Sequence, residues 1–342
     1  MSISARSRTV LSQVVTLHYR TCEPVGSALI SKTPELACSP ATVRNIMMRL
    51  EAKGYLRQPH TSAGRLPTDL GYRTYVEGIK LGPGSLGSPA RAHLEGAVAQ
   101  APNAATALQM VADFIHRETR LAAFALPLRH YGFRLGHMHL ERLNAQRLLA
   151  VWVARGGQTF QSVLSIPEDQ ITRDMQTRIA NYFNTAFRDM NLVQIQRRLR
   201  LSAGGGTWDG LWRSATLVTD ALLHEAEALD TLSIKGISSV LEMPEFHDAA
   251  RVRTLCRLLE HQAQVKQLVR HALAAPDEWV MFFIGAEMKD PELEGLAVTL
   301  AKFRTRDDWI GCVGTLGPKR MPYLHALQIL RHAQECMKPA NF

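Results

Sequence analysis

SPATVRNIMMRLEAKGYLRQPHTSAGRLPTDLGYRTY, residues Ser39 to Tyr75, holds more interpretable local signals than any other stretch of the chain. Ser39 suits a helix N-cap, Pro40 fits the first helical position, and Gly54 supplies a left-handed residue to end the helix. Those signals predict a helix from about Pro40 to Lys53. Val43, Met47 and Leu50 recur at helical spacing as its buried stripe, with Ile46 beside them, while Thr42, Arg44, Asn45 and Arg49 fall on the opposite face. These side chains suit base edges and phosphates. After Gly54, Tyr55 to Gln58 reads as a short strand and Pro59 to Pro67 as a loop, the outline of a wing. Thr68 is then placed to cap a further helix from Asp69, with Tyr72, Tyr75, Val76 and Ile79 turned inward.

Upstream, Val10, Leu11, Val14, Val15 and Leu17 lie along a helix over residues 6–19, broken at Arg20 to Pro24. A short helix from Gly26-Ser27 to about Lys32 and a turn at Pro34 to Cys38 complete a helix, short helix, turn, helix and strand-loop order. That is the plan of a winged helix-turn-helix.

Within this plan Thr42, Arg44 and Asn45 are the candidates for base edges, because Arg pairs bidentately with guanine and Asn with adenine. Ser39, Arg49, Arg57, His60, Thr61, Ser62 and Arg65 are assigned to phosphate or wing contacts, which position without specifying. Charge agrees with the assignment. Of the 342 residues, the first 80 hold eleven Lys/Arg against five Asp/Glu, while the other 262 hold 29 against 26. The excess of positive charge therefore gathers where the reader sits.

Three segments carry a family resemblance: EPVGS (Glu23 to Ser27), SPATVRNIMMRLEAKGYL (Ser39 to Leu56) and QPHTSAGRLPTDLGYRTYV (Gln58 to Val76). They resemble the N-terminal domain of the heat-inducible transcription repressor HrcA family. The resemblance implies a bacterial repressor that binds a CIRCE-type inverted repeat in double-stranded DNA upstream of chaperone operons. It also implies a homodimer whose activity a GroEL-type chaperonin supports.

Beyond the reader, Leu81 to Pro89 (LGPGSLGSP) reads as a linker; its nominal GxGxxG has no strand before it and so is not a convincing phosphate loop. Ala90 to His116 reads as helical. Four strand-like runs follow at Leu121 to Leu128, Phe133 to Leu143, Arg147 to Ala154 and Thr159 to Ile166, predicted as one antiparallel meander. Two apolar-faced helices, about Glu168 to Met190 and Thr207 to Leu229, come next, and either cover a sheet within the chain or form a dimer interface. Then come MPEF (Met243 to Phe246), a helix to about Leu273, strands at Trp279 to Ala286, Leu296 to Phe303 and Trp309 to Leu316, and a last helix from near Pro322.

Strands on both sides of a helical block indicate an α+β fold with an insertion. PEF, IGAE (Ile284 to Glu287) and LGPKRMPY (Leu316 to Tyr323) also resemble the family, with Met288 where members usually carry Asn and Lys319 where they usually carry Thr. The resemblance implies a GAF-like domain split by a dimerisation domain. The expected organisation is a winged helix-turn-helix domain at 1–80, a linker at 81–90, GAF-like parts at 91–165 and 243–342, and the inserted dimerisation domain at 166–242.

No catalytic set is found. His137 and His139 share a strand face without a third ligand, and His325 and His332, seven apart on the last helix, read as surface residues. The five cysteines show no CxxC or Cys/His metal spacing, so no metal or cofactor is expected and the thiols read as reduced, in a cytoplasmic protein. No apolar run is long enough to span a bilayer. An alternative is a small-molecule-responsive regulator with the GAF-like domain as sensor. An enzyme carrying an accessory winged helix is a third reading, weakened by the missing nucleophile, metal or cofactor constellation.

Overall fold

A computed structural model of the chain describes residues 3–36, 38–61, 63–80, 88–102, 104–128, 134–155, 157, 159–201, 209–260, 262–274, 280–304 and 310–338. It is a mixed α+β structure. The N-terminal part contains α1 (Ala5–Thr21), α2 (Ser27–Ile30), α3 (Pro40–Ala52), the strand pair β1 (Leu56–Arg57) and β2 (Leu66–Pro67), and α4 (Asp69–Glu77). Its core joins Val10, Leu11 and Val14 of α1 to Val43, Ile46, Met47 and Leu50 of α3 and to Ile30, Tyr55 and Leu56. The apolar stripe expected of α3 is thus the face it buries.

A second body is built on a five-stranded antiparallel sheet ordered β7-β3-β10-β9-β8, namely β7 (Ser233–Lys235), β3 (Ala122–Leu128), β10 (Ile310–Pro318), β9 (Leu296–Arg304) and β8 (Val280–Ile284). Because side chains alternate across a strand, Ala123 and Ala125 of β3 face one way with Ala301, Phe303 and Val313. There they pack on α5 (Ser88–Ala99), α6 (Ala104–Thr119) and the final helix α13 (Tyr323–Met337). Ala122, Phe124 and Leu126 face the other way with Val298 and Leu300, under α10 (Ile237–Leu241), α11 (Ala249–Glu260) and α12 (Ala263–Ala274). Cover on both faces explains why β9 and β10 are buried nearly throughout.

The third unit is a three-stranded antiparallel sheet of β4 (Leu135–Asn144), β5 (Arg147–Ala154) and β6 (Thr159–Ser165). It shares one core with α7 (Arg173–Ala186), α8 (Leu192–Leu201) and α9 (Asp209–Leu229). On β5, Leu148, Ala150, Trp152 and Ala154 are buried in strict alternation, the mark of a sheet covered on one face. Asn184 of α7 closes the β4 edge, its Oδ1 accepting from Met138 N at 2.7 Å and its Nδ2 donating to Met138 O at 2.9 Å.

Three expectations change. The four-strand meander is divided: β3 pairs with β10 and β7, and only the later three strands form the meander. The helix expected over Glu168 to Met190 begins at Arg173 behind the Thr172 cap and ends at Ala186. Asp189, at φ +65°, then turns the chain into α8, a helix with its own buried Leu192, Ile195 and Leu199. The helix expected up to Leu273 is two, α11 and α12. Of the expected linker, 81–87 lie outside the described residues and α5 starts at Ser88.

Candidate nucleic-acid interface

The local signals of α3 are realised as bonds. Ser39 Oγ accepts from Thr42 N at 3.2 Å, and the Ser39 and Thr42 hydroxyls lie 3.0 Å apart. At the other end Gly54 adopts φ +79°, and Tyr55 N donates back to Leu50 O at 2.9 Å. The Thr68 hydroxyl donates to Gly54 O at 2.6 Å and accepts from Gly71 N at 3.1 Å, so one side chain ties the exit of α3 to the start of α4.

With the apolar stripe buried, α3 presents Arg44, Asn45, Met48 and Arg49 to solvent. Thr42 is half-buried and its hydroxyl is engaged with Ser39, while Ser39 itself is exposed. Arg49 Nε donates to the Asn45 backbone carbonyl at 3.4 Å, which lays the Arg49 side chain over the preceding turn of the helix. The 52% exposure of Met48 in the middle of this face leaves an apolar contact available beside the polar ones.

The β1–β2 hairpin supplies the second group. His60 and Thr61 are exposed at its turn, shaped by Gln58 Nε2 donating to Thr61 O at 2.8 Å and Ala63 O at 3.0 Å; Ser62 lies outside the described residues. Gly64 packs so close to Val25 that an added Cβ would stand 2.4 Å from its backbone, and the Val25–Arg65 bridge fixes the base of the hairpin. Arg65 is used inside the fold. Its Nε donates to Glu51 Oε2 at 2.9 Å, leaving the side chain 14% exposed, and so it binds the hairpin to α3. Arg57 is exposed and lines a cleft of about 670 Å³ between the N-terminal part and the five-stranded body, with Arg251, Lys319 and Arg320.

That cleft borders a set of contacts the sequence reading missed. Arg73 of α4 grips Glu287, with Nε to Oε1 at 2.7 Å and Nη2 on Oε2, and Nη2 also donates to Phe282 O at 2.8 Å. Donating to the Glu287 carboxylate raises the Arg73 pKa above its ordinary value. Asp69 accepts from Lys319 Nζ at 2.6 Å and from Ala286 N at 3.0 Å. Arg320 pairs with Glu245 and reaches Tyr19 O at 3.3 Å.

Beneath these charges Val15, Tyr72 and Val76 share a buried cluster with Leu121, Ile284, Ala297, Met321 and Tyr323. Glu245, Glu287, Lys319 and Arg320 come from PEF, IGAE and LGPKRMPY, so the three C-terminal motifs converge on α1 and α4. Their clustering as short motifs was the visible signal; the separation in sequence hid what they touch.

His137 and His139 are exposed on β4, His139 lying 3.5 Å from Glu141. His325 is half-buried, its Nε2 3.0 Å from Glu118 O, whereas His332 is buried, contrary to the surface position expected for it, because it faces α5 rather than solvent.

The model of the HrcA protein C terminal domain matches residues 105–327, which span α6 to the first turns of α13. The chain belongs to the HrcA family. The heat-inducible transcription repressor HrcA of Geobacter sulfurreducens is 31% identical over 96% of this chain and 95% of its own. That of Nitrobacter winogradskyi is 32% identical over 97% of this chain and 92% of its own. Among solved structures, a hypothetical protein with 21% identity superposes with a TM-score of 0.54 over 98% of this chain and 97% of its own, a likeness of fold.

Proposed function

We propose that this protein is a transcriptional repressor of heat-shock (chaperone) operons that reads duplex DNA with α3. The observation that carries the reading is the exposed row of Arg44, Asn45 and Arg49 on a helix whose other face is core, in a chain that belongs to the HrcA family. In this reading α1 to α4 are a winged helix-turn-helix, α3 enters the major groove, and the β1–β2 hairpin is the wing. Arg44 and Asn45 contact base edges; Thr42 joins them through whichever side of its hydroxyl the Ser39 contact leaves available. Ser39, Arg49, His60, Thr61 and Ser62 lie along the phosphates, with Arg57 at the edge nearest the cleft. The grip of Arg65 on Glu51 makes its contribution mainly one of holding the wing against α3.

One such reader covers few base pairs, so a homodimer on an inverted repeat of the CIRCE type supplies length and affinity. The five-stranded body is the GAF-like domain and the inserted unit carries the dimer contacts. The single core shared by β4–β6 and α7–α9 favours starting that insertion before Leu135 and ending it at α9, since β7 returns to pair with β3. A GroEL-type chaperonin supports the active state, in keeping with the family. An electrophoretic mobility shift with a chaperone-promoter inverted repeat and a scrambled duplex, across a salt titration, tests the proposal; equal affinity for both would sink it.

A second reading, regulation by a small molecule, has one observation in its favour. A cavity of about 230 Å³ is lined by Leu268, His271, Phe283 and Met288, and its wall includes Glu287, the residue that Arg73 grips. A metabolite screen by thermal shift, followed by DNA release, separates the two.

A further inference from the structure

Far from the reading face, α5 and α13 lie side by side on one face of the five-stranded sheet. Three side chains of different donor types meet between them: Glu95 of α5, and His332 and Cys336 of α13. One donor atom from each lies within 4.8 Å of the others. His332 is 5% and Cys336 8% exposed, and His332 Nε2 stands 3.3 Å from Cys336 Sγ. Among the described residues that thiol is the one hydrogen-bond partner of the buried imidazole, a weak partner for a group whose burial ordinarily demands a strong one. Glu95 sits at the open side, with 49% of its side chain exposed and Oε1 accepting from Arg91 Nε at 2.9 Å.

We propose that Glu95, His332 and Cys336 form a binding site for a divalent transition metal of zinc type. Sulfur, imidazole nitrogen and carboxylate oxygen together are a zinc donor set, and a His and Cys four apart on one helix share a face, as chelation from a helix requires. Tetrahedral zinc with ordinary bond lengths needs donors about 3.3–3.8 Å apart. The imidazole and thiol already satisfy this. The remaining closure falls to Glu95, whose exposed side chain can swing in, exchanging Arg91 for the ion. Solvent completes the fourth position on that side. The metal would pin α5, which follows the N-terminal reader in the chain, to the final helix.

The test titrates Co²⁺, then Zn²⁺, into the full-length protein and reads thiolate-to-cobalt charge transfer in the near ultraviolet. The expected result is one tightly held Co²⁺ per chain with a thiolate band that Zn²⁺ abolishes. Cys336→Ser removes the band. Glu95→Gln, an exposed change that spares the core, retains it but weakens binding by about tenfold or more, the scale at which even outer-shell partners act. Absence of a thiolate band, a band that persists in Cys336→Ser, or equal affinity in Glu95→Gln overturns the proposal.

Discussion

Severing Arg73 from Glu287 should cost more than a surface ion pair and less than a fully buried one. Their side chains are 27% and 31% exposed, so water screens them only in part. Exposed pairs contribute about 0–1 kcal/mol, and breaking a buried pair costs about 3–5 kcal/mol. The fork is bidentate and charge-assisted, which places the coupling between these limits, at about 1.5–2.5 kcal/mol. Each single change removes more than the pair. Arg73→Ala also deprives the Phe282 carbonyl of its 2.8 Å donor, and Glu287→Ala deprives Ile284 N of its 2.9 Å acceptor. Each single loss should therefore exceed the coupling by about 1 kcal/mol. Urea denaturation of the wild type, both single variants and the double variant closes a double-mutant cycle in which these side losses cancel. Additivity within about 0.5 kcal/mol would refute the idea that this fork holds α4 to the five-stranded body.

Four further outcomes are expected. Arg44→Ala should lower affinity for the specific operator by about 1–3 kcal/mol while changing binding to scrambled duplex far less, whereas Arg49→Ala should weaken both alike and reduce the salt slope by about 0.9 in quantitative shift assays. Ser39→Ala removes the α3 cap and should reduce stability by about 1 kcal/mol in thermal denaturation. Gly285→Ala should loosen the contact with α4 in hydrogen exchange, because Gly285 lies at φ +54° and a Cβ there would stand 2.2 Å from Asp69 Oδ2. Burial lowers the His18 pKa, despite the Glu23 carbonyl that raises it. The folded state thus disfavours the protonated ring: the associated stability is present above the ordinary histidine value of about 6.5 and is lost as pH falls through the lowered one, so the urea midpoint of His18→Asn should vary less with pH across that range.

The N-terminal helices were legible because their signals are local. Ser39, Pro40, Gly54 and Thr68 act on neighbours a few residues away, and the α3 stripe is a periodicity. The sheets were less so: β3 finds β10 nearly two hundred residues on, and nothing in Ala122 to Leu128 says which strands it pairs with. The turn into α8 rests on a left-handed Asp189, and positive φ is uncommon enough outside glycine that one aspartate does not announce it. The roles of Arg65 and Arg73 were hidden for a related reason. An arginine reads as exposed charge until its acid is found, and Glu51 and Glu287 are brought to them only by the fold.

Ala125 of β3 pairs with Ser233 of β7, so the chain leaves the central sheet and comes back to it at adjoining points. The described residues from 134 to 232 are therefore a topological detour between two neighbouring stems. Replacing it by a tight turn would leave every inter-strand bond of the five-stranded sheet in place. The two stems are neighbours in the sheet, and the residue that precedes β3, Leu121, packs with Val15, Tyr72 and Val76, so the root of the detour lies directly against α1 and α4.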